Sequence, residues 1–190
     1  MTLVLFDTTK PRAELLRDLG LVALIQLSAL GFGLFTVWQA RPLFLALEKD
    51  RFKVVTAPDL DSAAVAALPP ALRPGLISGP IVVALREPED LQERNKVLFA
   101  SIKGGRDYAE RPEFYLPYEA AALKSIRLAK PLIRFLKIHP EQQGTANKLE
   151  NEKSADLTQW LYLPVVGRQD WIAVINNQGQ IQGFLKGDGF

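Results

Sequence analysis

The stretch LGLVALIQLSALGFGLFTVWQA, residues 19–40, is 22 residues long and carries no charge; Asp18 closes it on one side and Arg41-Pro42 on the other. Wound as an α-helix it spans roughly 33 Å, the thickness of a bilayer's hydrocarbon core. Gln26, Ser28, Thr36 and Gln39 are scattered around it, whereas a helix packed on a soluble core keeps its polar residues on one face. The pattern predicts a transmembrane helix. A cleaved signal peptide fits poorly, because the apolar run is too long and 18 residues of mixed charge precede it. Trp38 lies near the exit, where an indole keeps its ring in the membrane interface and its N–H in water; it is the expected interface anchor. Ala29 and Gly33, one turn apart with Gly31 nearby, form a small-xxx-small pair that lets another helix approach closely in lipid. They are the candidate helix-packing residues.

Before this run, LVLF at residues 3–6 is apolar but too short to cross a bilayer, and residues 7–18 are polar. Lys10, Arg12 and Arg17 precede the run while Arg41, Lys49, Arg51 and Lys53 follow it, so counting charges does not orient the helix. A long domain crosses the membrane largely regardless of its charge, which leaves the short N-terminal flank to decide. The expected organisation is a cytoplasmic flank at residues 1–18, the transmembrane helix at 19–40 and a domain on the outer side at 41–190.

In that domain Pro42 opposes continuation of the helix. LFLAL (43–47) and RFKVVTA (51–57) have β character around Glu48-Lys49-Asp50 and predict one bent strand or a hairpin. Asp59 or Asp61 is placed to cap a short helix over SAAVAAL, stopped by Pro69-Pro70. IVVAL, reached through a Pro/Gly-rich connection, reads as a buried strand. Pro88, Glu89 and Asp90 suit a helix's first turn, Leu91, Leu98 and Ile102 share one face, and Gly104-Gly105 end that helix. Residues 106–119 predict an irregular, well-packed loop. A helix follows over residues 119–129, restarts at Pro131 and closes at His139-Pro140. Residues 141–156 are the most polar stretch and read as a mobile loop or an exposed, marginal helix. WLYLPVV, WIAVI and QIQGFLK, the last two joined through Asn176-Asn177-Gln178-Gly179, predict a three-stranded meander. The fold class is α+β: one transmembrane helix, then a mixed domain with an antiparallel sheet and a C-terminal β-meander.

Composition narrows the function. Hydrophobic residues make up 48% of the 190, enough for a real core. With 23 Lys+Arg against 21 Asp+Glu and no long single-sign run, the chain offers no electrostatic grip on nucleic acid. The lack of cysteine removes thiol catalysis, disulfides and cysteine metal sites, and the single histidine, His139, reads as an ordinary surface residue at a helix end. Phosphate-loop, nucleophile-elbow and zinc-helix motifs are missing, and the lone GxG at Gly31 and Gly33 lies inside the apolar helix. Carboxylate pairs such as Glu87/Glu89 and Glu150/Glu152 fit solvated faces. No catalytic residue, metal site or cofactor is expected, and binding rather than turnover is the predicted mode. Aromatic residues are the informative class: Phe114, Tyr115 and Tyr118 in one loop, and Trp160, Tyr162 and Trp171 on the terminal strands. Exposed, they would suit a protein interface; core positions on the strands are the competing reading for the tryptophans.

ARPLFLALEKDRFKVVTA, residues 40–57, resembles the type IV pilin accessory proteins of the TfpX/TfpZ type. Upstream, TLVLFDTTKPRAELLRDLGLVALIQLSALGFGL is similar to that family's LVxFD end, basic loop, RDL and helix with a QLxAL core. Downstream, the SGP before IVVAL, the RPEFYLPYE loop, the YLPVVGRQDW segment and the closing hairpin are also similar, so the resemblance covers nearly the whole chain. Relatives carry two further hydrophobic segments ahead of the LVxFD motif, whereas Met1 here stands almost upon it. On that pattern LVLF ends the second segment, residues 7–18 form a cytoplasmic loop and the domain is periplasmic. The resemblance implies an accessory factor of the bacterial inner membrane that promotes assembly of a cognate type IV pilin. Its partners would be that pilin, other pilus assembly proteins and membrane lipid, with no catalytic residues carried over. Ala29 and Gly33 would meet the pilin's helix, and the aromatic loop, through Phe114, Tyr115 and Tyr118, would meet its head. A membrane-tethered periplasmic ligand-sensing domain is the alternative, because small sensory domains also close on hairpins like WIAVINNQGQIQGF.

Overall fold

The computed structural model describes residues 11–76, 78–153 and 156–190. The LVLF stretch and the flank through residue 10 lie outside the described residues. The chain divides between Arg41 and Pro42 into an N-terminal unit and a C-terminal domain.

Within the N-terminal unit, α1 runs Arg12–Gln39. Its 28 residues extend about 42 Å. The helix therefore begins earlier than the uncharged run and takes in Arg12, Glu14, Arg17 and Asp18. It stops where Arg41 precedes Pro42, since a residue before proline is pushed out of the helical region. No residue of α1 is buried, and it is the described helix that is long and apolar enough to cross a membrane. Thr36 satisfies its hydroxyl inside the helix by donating to the Phe32 carbonyl at 2.9 Å. At the C-terminal end the Arg41 guanidinium stacks 3.8 Å from the Trp38 ring centroid, a cation–π contact.

The C-terminal domain opens with a hairpin, β1 Pro42–Glu48 and β2 Arg51–Thr56. Lys49 and Asp50 make its turn, Lys49 at φ 49°. Helix α2, Ser62–Ala66, is capped by Asp61, whose side chain accepts from the Ala63 N–H; Asp59 instead closes the preceding turn on Thr56. Strand β3, Ile81–Leu85, lies parallel to β1. Helix α3 spans Leu91–Ile102 and β4 spans Tyr115–Pro117, antiparallel to β3. Next come α4 Ala122–Leu128, the two-residue β5 Lys130–Pro131, α5 Leu132–Ile138 and α6 Gln143–Lys153. The meander is β6 Leu161–Val166, β7 Trp171–Ile175 and β8 Ile181–Lys186.

The strands form one sheet in the order β4-β3-β1-β2-β6-β7-β8, with β5 also paired to β6. Most pairs are antiparallel, as an α+β domain predicts, but β1/β3 and β2/β6 are parallel, so the sheet is mixed. β5 and β2 share one edge of β6 end to end, at Leu161–Tyr162 and Val165–Val166 respectively. Alternation along β1 sends Phe44 and Ala46 to one face and Leu45 and Leu47 to the other. Both faces are covered. Phe44, Ala46, Val55 and Val83 pack under Leu60, Leu68, Leu72 and Tyr115. Tyr162, Ile172, Val174 and Leu185 pack under Leu132, Phe135 and Ala146 of α5 and α6. The opposite face joins Leu45, Leu47 and Phe52 to Leu163, Val165 and Ile175, with Tyr118 over them. Residues 143–153, expected as a loop or marginal helix, are a helix because Ala146 is buried and Leu149 closes on Gly183.

Helix α3 differs from expectation. Asp90 caps it by accepting from the Glu93 N–H at 2.6 Å, so Pro88 precedes the helix rather than opening it. Gly104, at φ 80°, ends it as expected. Leu91, Leu98 and Ile102 do share one face, but that face is 73%, 52% and 71% exposed while Val97 is the residue turned inward. With the sheet already covered on both sides, α3 docks at its margin through a bidentate pair, Arg86 to Glu93 at 2.9 and 2.7 Å.

Candidate functional site

Ala29 and Gly33 lie on one face of α1, and a side chain added at Gly33 would meet nothing within 4 Å. Trp38, at the far end of the same helix, is exposed and covered on one face by Arg41.

The aromatic loop is arranged differently from the contact surface expected of it. Phe114, Tyr115 and Tyr118 are only 2%, 6% and 8% exposed. Phe114 lies between Tyr108, with ring centroids 4.6 Å apart, and the Arg86 guanidinium at 4.4 Å. Tyr115 packs edge-on against Phe44 at 4.9 Å and donates to the Ala109 carbonyl at 2.7 Å. Tyr118 donates to the Gly179 carbonyl at 2.6 Å and meets the Ser125 hydroxyl at 3.1 Å. Burial pushes both of these phenols up, with the Ser125 hydrogen bond working against that shift at Tyr118. These rings are core. Each buries a large apolar area and, for the tyrosines, finds an acceptor for its hydroxyl, which favours the interior over the surface. Their side chains are therefore interior, not the exposed surface expected of the loop. Trp160 is likewise buried, whereas Trp171 is partly exposed.

His139 stacks on Phe135 at 4.5 Å and reaches the Glu141 carboxylate at 3.1 Å, at the C-terminal end of α5. Among the described residues no three His, Asp or Glu side chains gather as metal ligands.

The surface feature that sequence reasoning missed is a groove of about 920 Å³ between α3 and α4. Leu47 and Leu85 come to it from the sheet, Leu91, Val97 and Leu98 from α3, and Ala121 and Leu128 from the α4 side. Glu48, Lys49, Arg94 and Lys124 are among its polar residues. Partial burial pushes the Glu48 carboxyl up, opposed by the charge of Lys53. Lys53 itself is held by Asp107 at 3.0 Å and Glu110 at 2.9 Å. The signal in the sequence was the apolar face of α3, which periodicity shows without showing what it faces.

No family model matches the chain, and no solved structure matches it significantly. Curated relatives do. The chain is 26% identical over 193 residues to the fimbrial assembly protein of serogroup I from Dichelobacter nodosus, an alignment covering all of this chain and 75% of that protein. It is 24% identical, with the same coverage, to the fimbrial assembly protein of serogroup E1 from the same organism. The similarity to these fimbrial assembly proteins takes in both α1 and the C-terminal domain.

Proposed function

We propose that this protein is a membrane-anchored accessory factor that binds a cognate pilin and promotes its assembly into type IV pili, with α1 in the inner membrane and the C-terminal domain in the periplasm. The observation that carries the reading is similarity to fimbrial assembly proteins along the whole chain. A 28-residue helix with no buried residue, followed by a packed domain, supports the anchored form of it. Before assembly a pilin presents an apolar transmembrane helix and a globular head, and this protein offers a surface to each: Ala29 and Gly33 on α1, and the domain beyond it.

The mode of action is recognition rather than chemistry, and the complex must be transient, since a partner held tightly would not pass into the fibre. A dissociation constant on the order of micromolar corresponds to about −8 kcal/mol. The test is a clean deletion. Surface pili carrying the cognate pilin should fall while that pilin is still made, and normal piliation with no substituting paralogue would overturn the reading. Protease added to spheroplasts should digest the C-terminal domain; protection of the domain would reverse the orientation.

A further inference from the structure

The groove between α3 and α4 combines two features that a finished surface does not keep. Leu91 and Leu98 stand more than half exposed at its rim, although burying a leucine is worth roughly 1.5–3 kcal/mol. Glu48 lines it with its carboxylate half withdrawn from water and no hydrogen bond or ion pair among the described residues. Of the cations whose charge reaches it, Lys53 is engaged by Asp107 and Glu110 and Arg51 by Asp50, while Lys49 stands beside it in the groove lining. The balance of the lining is acidic, five carboxylates against three cations, in a chain whose net charge is +2. One of those cations, Lys124, is already paired with Glu87 at 2.7 Å.

We infer that this groove receives a short segment of the partner's polypeptide, one that lays apolar side chains on Leu91, Leu98 and Leu128 and pairs a lysine or arginine with Glu48. The inference rests on the pilin-binding reading and deepens it: the segment belongs to the head of the pilin subunit. Charge selects this occupant, because an acidic lining with an unpaired carboxylate attracts a cationic segment and repels an anionic lipid surface. Shape agrees with it, since an occupant must extend across the open rim to cover both leucines, as a helix or strand laid in a groove does.

A photoreactive residue at Leu98 of the full-length protein, in piliated cells, tests this. A second probe at Trp171, which does not line the groove, serves as control. The expected result is a Leu98 adduct with the pilin, joined at a pilin peptide next to a lysine or arginine. Its yield should fall roughly fivefold or more in Glu48→Lys and less in Glu48→Gln. Protein abundance and melting temperature are measured in both variants, and the Glu48→Gln comparison stands by itself if Glu48→Lys does not accumulate. A pilin adduct at Trp171 with none at Leu98 would sink the groove and leave pilin binding intact. An adduct with lipid or with a second copy of this chain, or a yield indifferent to both Glu48 variants, would also overturn the inference. Absence of pilin adducts from both probes, with normal piliation in the deletion strain, removes the pilin reading itself.

Discussion

The Tyr118 hydroxyl ties two distant pieces of chain together, the approach to α4 and the turn between β7 and β8, through Gly179 and Ser125. Gly179 sits at φ 78° with the Ala122 backbone where a Cβ would be, so the turn both needs glycine and brings its carbonyl within reach of the phenol. Tyr118→Phe leaves that buried carbonyl without its donor and should lower stability by about 1–3 kcal/mol, read as a lower denaturation midpoint at unchanged slope. An unchanged midpoint would mean that water replaces the phenol. The turn at Asn176-Asn177-Gln178-Gly179 was legible in the sequence because its requirement is local. The direction of Tyr115 and Tyr118 was not, because their acceptors, Ala109 and Gly179, are chosen by the tertiary fold.

Helix α3 shows the same division at the level of an element. Its glycine stop and its apolar face follow from spacing, whereas its start falls at the Asp90 cap rather than at Pro88, and periodicity says only that Leu91, Leu98 and Ile102 lie together, not that the sheet is already covered. Glu93 helps Val97 hold α3 in place, and its carboxyl is drawn down to about 2 from its ordinary 4.5, first by the Arg86 guanidinium and then by the Glu89 N–H. A carboxylate depressed on folding supports the structure above its unfolded pKa and loses that support as pH falls through the folded one. Amide-exchange protection of α3 should therefore hold above pH 4.5 and decline between there and about 2. Glu93→Gln should be less protected already at neutral pH and lack that decline; a flat wild-type profile would count against the pair as the docking contact. For α1, Ala29→Leu or Gly33→Leu should reduce piliation while protein abundance holds, because a bulky residue separates helices yet dissolves well in lipid. Full piliation in both variants would mark the small residues as incidental.

Across the whole molecule, the meander was legible because its strands are neighbours in sequence, and the leading hairpin was one of the two readings, bent strand or hairpin, that residues 43–57 allowed. The parallel pairs β1/β3 and β2/β6 were not: IVVAL reads as a buried strand wherever it is placed, and nothing local says that it returns beside β1. All three cores nevertheless lie within residues 42–190, and α1 contributes no buried residue. The C-terminal domain should then fold without α1. Expressed alone it should stay soluble and melt in one cooperative transition, while the full chain should resist extraction from membranes by carbonate, as a helix of this length and apolarity requires. Release of the full chain by carbonate would contradict the anchor. If assembly needs both the helix and the head of the pilin engaged on one molecule, the soluble domain loses the effective concentration that shared residence in a membrane provides. It should fail to restore pili in the deletion strain at the same abundance, even though its groove is intact. Restoration by the soluble domain would place the whole of the activity in the head contact and make α1 a tether without a partner.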